Sequence, residues 1–231
     1  MLKLFNRLHI ETHSACNRRC ETCLRQTHPQ RKVTFNVLPD EIVYSLMDQA
    51  IELQPDAQLV PQFFNEPFID KRMPEFLRYA SKKGFSLIYI NTNGEFITPE
   101  LAEEIDGLLE YMTVDFDPIE QIQNMFSKTR IEKAGQHVVT HYSPYMNLKD
   151  EIANCSNQPC TVECQLRVVI GSDGYMRLCC EDIIGEFDLG NIFDSTLEEL
   201  WFSDKHQEIV KKLSQPGGRK KYPYCSICPR P

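Results

Sequence analysis

Apolar positions along the first two-thirds of the chain fall into two alternating patterns. Short apolar runs read as strands, and each is followed by a stretch in which apolar residues return at helical spacing. Leu4 to His13 predicts a first strand that runs straight into a cluster of cysteines. Pro39-Asp40-Glu41 opens a helix with Ile42, Leu46, Ala50 and Leu53 on one stripe. Leu59 to Phe64 predicts the second strand. Phe76, Leu77 and Ala80 mark a helix closed by Lys82-Lys83-Gly84, a basic last turn followed by a glycine cap. Phe85 to Ile90 is a buried strand; Thr98 then caps a helix with Pro99 at its first position and Leu101 and Ile105 facing inward. Tyr111 to Phe116 predicts the fourth strand, Ile119 to Ala134 the fourth helix, and His137 to Tyr142 a fifth strand.

Repeated strand–helix units place the chain in the α/β class, with a parallel sheet closed or partly closed into a TIM-like barrel of about five strands. Chemistry in such folds gathers at the carboxyl ends of the strands. The cysteine cluster, Asn65-Glu66-Pro67, Asn91-Thr92-Asn93-Gly94 and Asp115-Phe116-Asp117 all follow strand ends, so they are expected on one face. The composition changes after about residue 150, where seven of the ten cysteines lie. A hairpin is expected there, Leu166 to Ile170 and Tyr175 to Leu178 around Ser172-Asp173-Gly174. A short helix is expected from Ser195, with Glu198 completing a capping box. The organisation expected is therefore a barrel over 1–150 and a small cysteine-rich domain over 151–231, whose few elements need a metal cluster as a staple.

Composition narrows the chemistry. The net charge of −8 argues against nucleic acid held through phosphates. No apolar run approaches the ~20 residues of a membrane helix, so no membrane partner is expected. The start lacks the features of a signal peptide, which predicts a cytoplasmic protein. Thiols stay reduced in that compartment, and ten cysteines then point to metal or redox chemistry rather than disulfides. The basic run Arg219-Lys220-Lys221 reads as a solvated turn without function.

Cys16, Cys20 and Cys23 have the spacing C-x3-C-x2-C. Structural zinc takes four ligands in a closed tetrahedron, and three cysteines in one loop do not close it. A four-iron cluster on three thiolates keeps one iron open for a further ligand. Zinc completed by His13 or His28 is the alternative. In the tail, spacing alone fits an iron cluster or a zinc knuckle using Cys225, Cys228 and two upstream cysteines.

A C-x3-C-x2-C loop after the first strand of a partial barrel resembles the radical S-adenosylmethionine superfamily. Phe63-Phe64-Asn65-Glu66-Pro67 resembles its G-G-E-P segment, which contacts the methionine amino group of the cofactor. Asn91-Thr92-Asn93-Gly94 resembles its T-N-G element near the ribose, and Asp115-Phe116-Asp117 sits at its polar S-x-D position. Two residues depart from the pattern: Thr22 replaces an aromatic residue before the last cysteine, and Asn65 replaces a glycine. The resemblance implies S-adenosyl-L-methionine and a [4Fe-4S] cluster with an open iron. It places Thr22, Phe64, Asn65, Glu66, Pro67, Asn91, Thr92, Asn93 and Asp115 around the cofactor.

The tail resembles that superfamily's SPASM domain and its shorter twitch form. The likeness lies in Asp173-Gly174, Cys179-Cys180-Glu181-Asp182, Leu189-Gly190-Asn191, Leu197 to Trp201, and Cys225-Ser226-Ile227-Cys228. It implies a second, auxiliary [4Fe-4S] cluster on Cys179, Cys225, Cys228 and Cys160, with Cys164 the rival for the last place. Cys155, Cys164 and Cys180 are then spare.

The chemistry implied is reductive cleavage of the cofactor to a 5′-deoxyadenosyl radical, which takes a hydrogen atom from a substrate carbon. An auxiliary cluster that accepts the next electron makes the outcome a two-electron oxidation of a small-molecule substrate. Within the superfamily the chain is most similar to the twitch-domain aminocyclitol dehydrogenases, where a basic residue after the last barrel strand orients the substrate. Lys149 is the nearest candidate for that role, and Asp117 and His141 are candidate proton acceptors at strand ends. Flavodoxin or ferredoxin is the electron donor implied. Two other readings stand beside this one. The first is epimerisation, isomerisation or crosslinking of a peptide or another small molecule, with Cys164 or Cys180 returning the hydrogen. The second is a non-catalytic electron-transfer or zinc-binding module.

Overall fold

The computed structural model describes residues 4–20, 23, 25, 34–134, 157–160, 166–183, 185–226 and 228. Thr22, His28, His141, Lys149, Cys155 and Cys164, with the strand expected over His137 to Tyr142, lie outside the described residues.

Five parallel strands carry the first half: β1 (Arg7–Ile10), β2 (Gln58–Val60), β3 (Leu87–Thr92), β4 (Tyr111–Val114) and β5 (Arg130–Lys133). Helices α1 (Asp40–Leu53), α2 (Met73–Lys83), α3 (Pro99–Ile105) and α4 (Ile119–Gln123) alternate with them. The second half adds β6 (Arg167–Ile170), β7 (Met176–Arg177), α5 (Leu197–Trp201), α6 (Asp204–Leu213) and α7 (Pro223–Ser226). All seven strands join one sheet in the order β5-β4-β3-β2-β1-β6-β7, antiparallel only between β6 and β7. Among the described residues no helix is long and apolar enough to cross a membrane.

Strand alternation separates two faces. Leu8, Ile10, Leu59, Ile88, Ile90, Met112 and Val114 share the core with Val43, Leu46 and Met47 of α1 and Phe76, Leu77 and Ala80 of α2. The opposite, inner face carries Arg7, Gln58, Tyr89 and Tyr111. There Arg7 Nη1 donates to the Tyr89 hydroxyl at 3.0 Å, and the Tyr89 and Tyr111 rings stack at 4.9 Å. The helix ends follow the sequence signals. Gly84 closes α2 at φ +85°, a conformation that favours glycine. The Thr98 hydroxyl accepts from Leu101 N–H at 3.2 Å to open α3.

Four expectations change. The helix expected over Ile119 to Ala134 stops at Gln123, because the Asp106 carboxylate draws in the N–H groups of Ser127, Lys128 and Thr129 and turns the chain. Arg130–Lys133 then pairs with β4 as β5, so the fifth strand begins earlier in the sequence than expected. Helix α5 is capped by Thr196 with Glu199 rather than Ser195 with Glu198, since the same capping box recurs one residue later. Finally, the hairpin of the cysteine-rich segment extends the barrel's own sheet, with β6 parallel to β1 in the register Arg7↔Arg167 to Ile10↔Ile170.

Candidate active site

A cavity of about 210 Å³ lies at the carboxyl ends of β1 to β4, and Cys16, Cys20 and Cys23 all line it. Phe64, Asn65, Glu66, Asn91, Thr92, Asn93 and Asp115 line it as well, so the shared face expected from the strand ends is present. Pro67 is buried just behind, at the start of a single 3-10 turn over Pro67–Ile69. Gln62, Arg18 and Thr113 complete the wall without having been singled out in the sequence. Gln62 accepts the Asn91 N–H at 2.5 Å and fixes the spacing of β2 and β3 at the rim.

Glu66 is held from three sides. One carboxylate oxygen accepts from the Thr92 hydroxyl at 2.7 Å and from Phe68 N–H at 3.2 Å, and the other from Asn93 N–H at 2.8 Å. Burial pushes its pKa up, and these hydrogen bonds work against that rise. The N-E-P and T-N-G segments are thus one bonded unit. Asn65 accepts from Phe63 N–H at 3.0 Å, while its buried Nδ2 has no partner among the described residues. That leaves a donor beside Glu66 for which a bound ligand supplies the acceptor.

The cysteine loop is clamped by a residue that the motif does not specify. Arg18 donates to Glu95 Oε1 at 2.6 Å, to the Asp115 carboxylate at 2.9 Å and to the Asn93 carbonyl at 3.1 Å. Neighbouring Asn17 accepts from Asn93 Nδ2 at 2.7 Å. No local pattern announced this clamp, since its partners lie more than 70 residues away. Burial raises the pKa of the Cys20 thiol, Cys16 raises it further, and Arg18 opposes both. Thiols so placed ionise readily only beside a cation, which is the donor chemistry an iron cluster needs.

Of the candidate proton acceptors, only Asp117 is described. It lies outside the cavity lining, its side chain 73% exposed and paired with Lys133.

A second group of thiols forms in the tail. Cys225 is buried in α7 and feels both Cys160 and Cys228, and Cys179 feels Cys228 in turn. Burial first, then Cys180 and Cys228 beside Cys179 and Cys160 and Cys228 beside Cys225, push both thiols up. Cys160 N–H donates to the Leu213 carbonyl at 2.8 Å, tying it to the end of α6. Cys179, Cys228, Cys225 and Cys160 thus follow one another as electrostatic neighbours, a set of donors whose chemistry suits a cationic centre. Among the described residues no three are gathered closely enough for a single metal ion. Cys180 is also an electrostatic neighbour of Cys179, and Arg167 Nη1 lies 3.3 Å from its sulfur.

The SPASM family, an iron–sulfur cluster-binding domain, matches residues 160–229. The chain is 25% identical over 241 residues to the S-adenosyl-L-methionine-dependent 2-deoxy-scyllo-inosamine dehydrogenase of Niallia circulans, covering 99% of this chain and 94% of that protein. Residues 160–229 thus carry the SPASM likeness, and the chain as a whole is similar to a radical S-adenosylmethionine dehydrogenase. The crystal structure of BtrN in complex with AdoMet and 2-DOIA has the same fold, with a TM-score of 0.80, 21% identity, and 100% and 94% of the two chains covered. The structure of anSMEcpe with bound AdoMet and the Cp18Cys peptide overlays at a TM-score of 0.62, with 15% identity over 98% of this chain and 88% of that one. A shorter likeness, 30% over 120 residues, joins 49% of the chain to 32% of the tungsten-containing aldehyde ferredoxin oxidoreductase cofactor-modifying protein of Pyrococcus furiosus. S-adenosylmethionine and iron–sulfur clusters, an auxiliary one among them, are accordingly the cofactors of this enzyme, and iron takes precedence over the zinc knuckle in the tail.

Proposed function

We propose that the enzyme removes two hydrogens from a carbinol carbon of a small polyhydroxylated metabolite, an aminocyclitol or a sugar. The observation that carries this reading is the placement of the two thiol groups about the paired strands β1 and β6. β1 runs into Cys16, Cys20 and Cys23 at its carboxyl end. β7 returns antiparallel along β6 and leads to Cys179 and Cys180 toward the other end, where Arg167 Nη1 lies 3.3 Å from the Cys180 sulfur. In this reading the substrate lies on the inner face, between the two groups.

When bound, S-adenosylmethionine on the open iron supplies a carbon radical that takes a hydrogen atom, and an auxiliary cluster accepts an electron. Cys16, Cys20 and Cys23 would hold the first cluster; Cys160, Cys179, Cys225 and Cys228 the second. Glu66, fixed by Thr92 and Asn93, orients the cofactor's ammonium group, and Asn65 Nδ2 offers a donor beside it. The inner wall of Asn91 and Thr113, with Tyr89 and Tyr111 one pleat below, positions the substrate carbon and excludes water. Lys149 and His141, outside the described residues, and exposed Asp117 remain the candidates for substrate orientation and proton removal. The functional division near residue 150, a cytoplasmic setting and a flavodoxin or ferredoxin donor belong to the same reading.

A second reading is epimerisation or bond formation on a peptide or other small molecule. It is favoured by Cys180, whose sulfur faces Arg167 beside the ligand candidate Cys179. Anaerobic turnover of a panel of cyclitols and sugars in deuterated water separates the two. One 5′-deoxyadenosine per ketone formed supports dehydrogenation. Products of unchanged oxidation level carrying one solvent deuterium would move the assignment to epimerisation.

A further inference from the structure

In the basic run Arg219-Lys220-Lys221 the two lysines are exposed, as a solvated turn requires, but Arg219 is not. Arg219 is 1% exposed and ranks among the largest fully buried side chains. Its Nη2 donates to the Cys228 carbonyl at 2.6 Å, and its Nε reaches the Cys225 carbonyl at 3.4 Å. The guanidinium therefore spans the two carbonyls of the C-x2-C loop from within the protein. The turn that carries it is fitted closely: a Cβ on Gly218 would stand 1.8 Å from the Lys212 carbonyl oxygen, so only glycine fits there. Cys160, bonded to Leu213, joins the same end of α6. One corner thus supplies three of the four candidate thiols, Cys160, Cys225 and Cys228, and a buried cation bonded to the carbonyls of two of them.

A fully buried charge is costly unless an opposite charge lies near. Four thiolates around a four-iron cube form a dianion when oxidised and a trianion when reduced, so a fixed cation nearby favours the reduced state more. We infer that Arg219 is a positioning residue of the auxiliary site. It holds Cys225 and Cys228 by their carbonyls and supplies a buried positive charge that raises the cluster's reduction potential. A higher potential makes that cluster a better acceptor of the substrate electron. The inference rests on the reading of Cys160, Cys179, Cys225 and Cys228 as cluster ligands.

The test uses the full-length chain with Cys16, Cys20 and Cys23 changed to Ala, which leaves only the auxiliary cluster to be observed. Iron and sulfide are counted anaerobically, and the midpoint potential is read by spectroelectrochemical titration for the parent, Arg219→Met and Arg219→Lys. The expected result is about four irons per chain in the parent. Arg219→Met should then shift the potential to more negative values, and Arg219→Lys should restore much of the shift. Iron lost from Arg219→Met but kept in Arg219→Lys supports the same role, because Lys returns charge without the paired hydrogen bonds. An unchanged potential in iron-replete Arg219→Met, or equal iron loss from both variants, would overturn it. A parent that binds no iron would instead sink the ligand assignment, before Arg219 is tested at all.

Discussion

Ser172 donates its hydroxyl to the Glu11 carboxylate at 2.7 Å, and its N–H reaches the same oxygen at 3.2 Å. Glu11 follows β1 directly and leads toward the first cysteine loop, while Ser172 sits at the turn of the β6–β7 hairpin that leads to Cys179. The other Glu11 oxygen accepts from Phe64 N–H at 3.1 Å, in the segment before Glu66. Both residues are buried, so this one carboxylate ties the two halves of the protein to the cofactor wall. Hydrogen bonds to a buried charge contribute about 1.5–3 kcal/mol. Ser172→Ala should lower the unfolding free energy by an amount in that range. Denaturant titration of the anaerobic apoprotein measures it, and a change below about 0.5 kcal/mol would show that the contact contributes little.

Glu66 and Thr92 give a prediction about the cofactor. Thr92→Val keeps the shape of the side chain and removes the hydroxyl that donates to Glu66 Oε1. The carboxylate then loses one of its three fixed partners and some of its orientation. Iron content should not change, because no thiol is touched. Affinity for S-adenosylmethionine should fall about tenfold, the equivalent of one charge-assisted hydrogen bond. Isothermal titration on the iron-loaded protein reads this directly. Unaltered affinity would place Glu66 outside the cofactor contact.

Much of this architecture was legible because its signals are local. The Gly84 and Thr98 caps, the alternating strands and the strand-end motifs each announce themselves within a few residues. Glu66, Thr92 and Asn93 stood out through short strand-end motifs that resemble those of the superfamily, and the fold brings the three together. The misreadings have a common cause in contacts distant in sequence. The helix after Ile119 continues plausibly as a pattern, yet Asp106 captures the following N–H groups. Arg219 looks solvated beside two lysines, yet the C-x2-C carbonyls draw it inside. Arg18, Gln62 and Glu11 act only through partners that the fold brings from other strands, so no window of sequence reveals them.

Asp106 offers a prediction in pH. Its two oxygens accept from Ser127 N–H at 3.0 Å, the Ser127 hydroxyl at 2.7 Å, and the N–H groups of Lys128 and Thr129, both at 2.9 Å. Burial works against its ionisation, but these donors outweigh it and hold the carboxyl well below the usual carboxylate range. A depressed pKa means that the stabilisation is fully present above the unfolded value of about 3.9 and is lost as pH falls through the folded value. Asp106→Ala should therefore cost about 1–3 kcal/mol at neutral pH, with the gap from wild type narrowing below about pH 4. Thermal melts across that range check both parts. A gap that does not depend on pH would mean that the turn is held by shape rather than by the carboxylate.

Arg18 separates stability from site geometry. Its ion pairs with Glu95 and Asp115 are substantially exposed, the two carboxylates at 41% and 58%. Such pairs are worth about 0–1 kcal/mol each, so Arg18→Ala should change the apoprotein's unfolding free energy by less than about 1 kcal/mol. The local consequence is larger. Without the guanidinium, the Glu95 and Asp115 carboxylates lose their shared cation, and the loop carrying Cys16 and Cys20 is held to the ends of β3 and β4, among the described residues, only through Asn17. Nearby positive charge also eases ionisation of Cys20, which Arg18 promotes against burial and Cys16. The variant should accept iron at the auxiliary site as before but lose the first cluster faster on exposure to air. Timed iron counts against the Cys16, Cys20 and Cys23 triple-Ala protein isolate that fraction. Equal loss rates in wild type and Arg18→Ala would confine Arg18 to the surface, and a large fall in apoprotein stability would make it a folding residue instead.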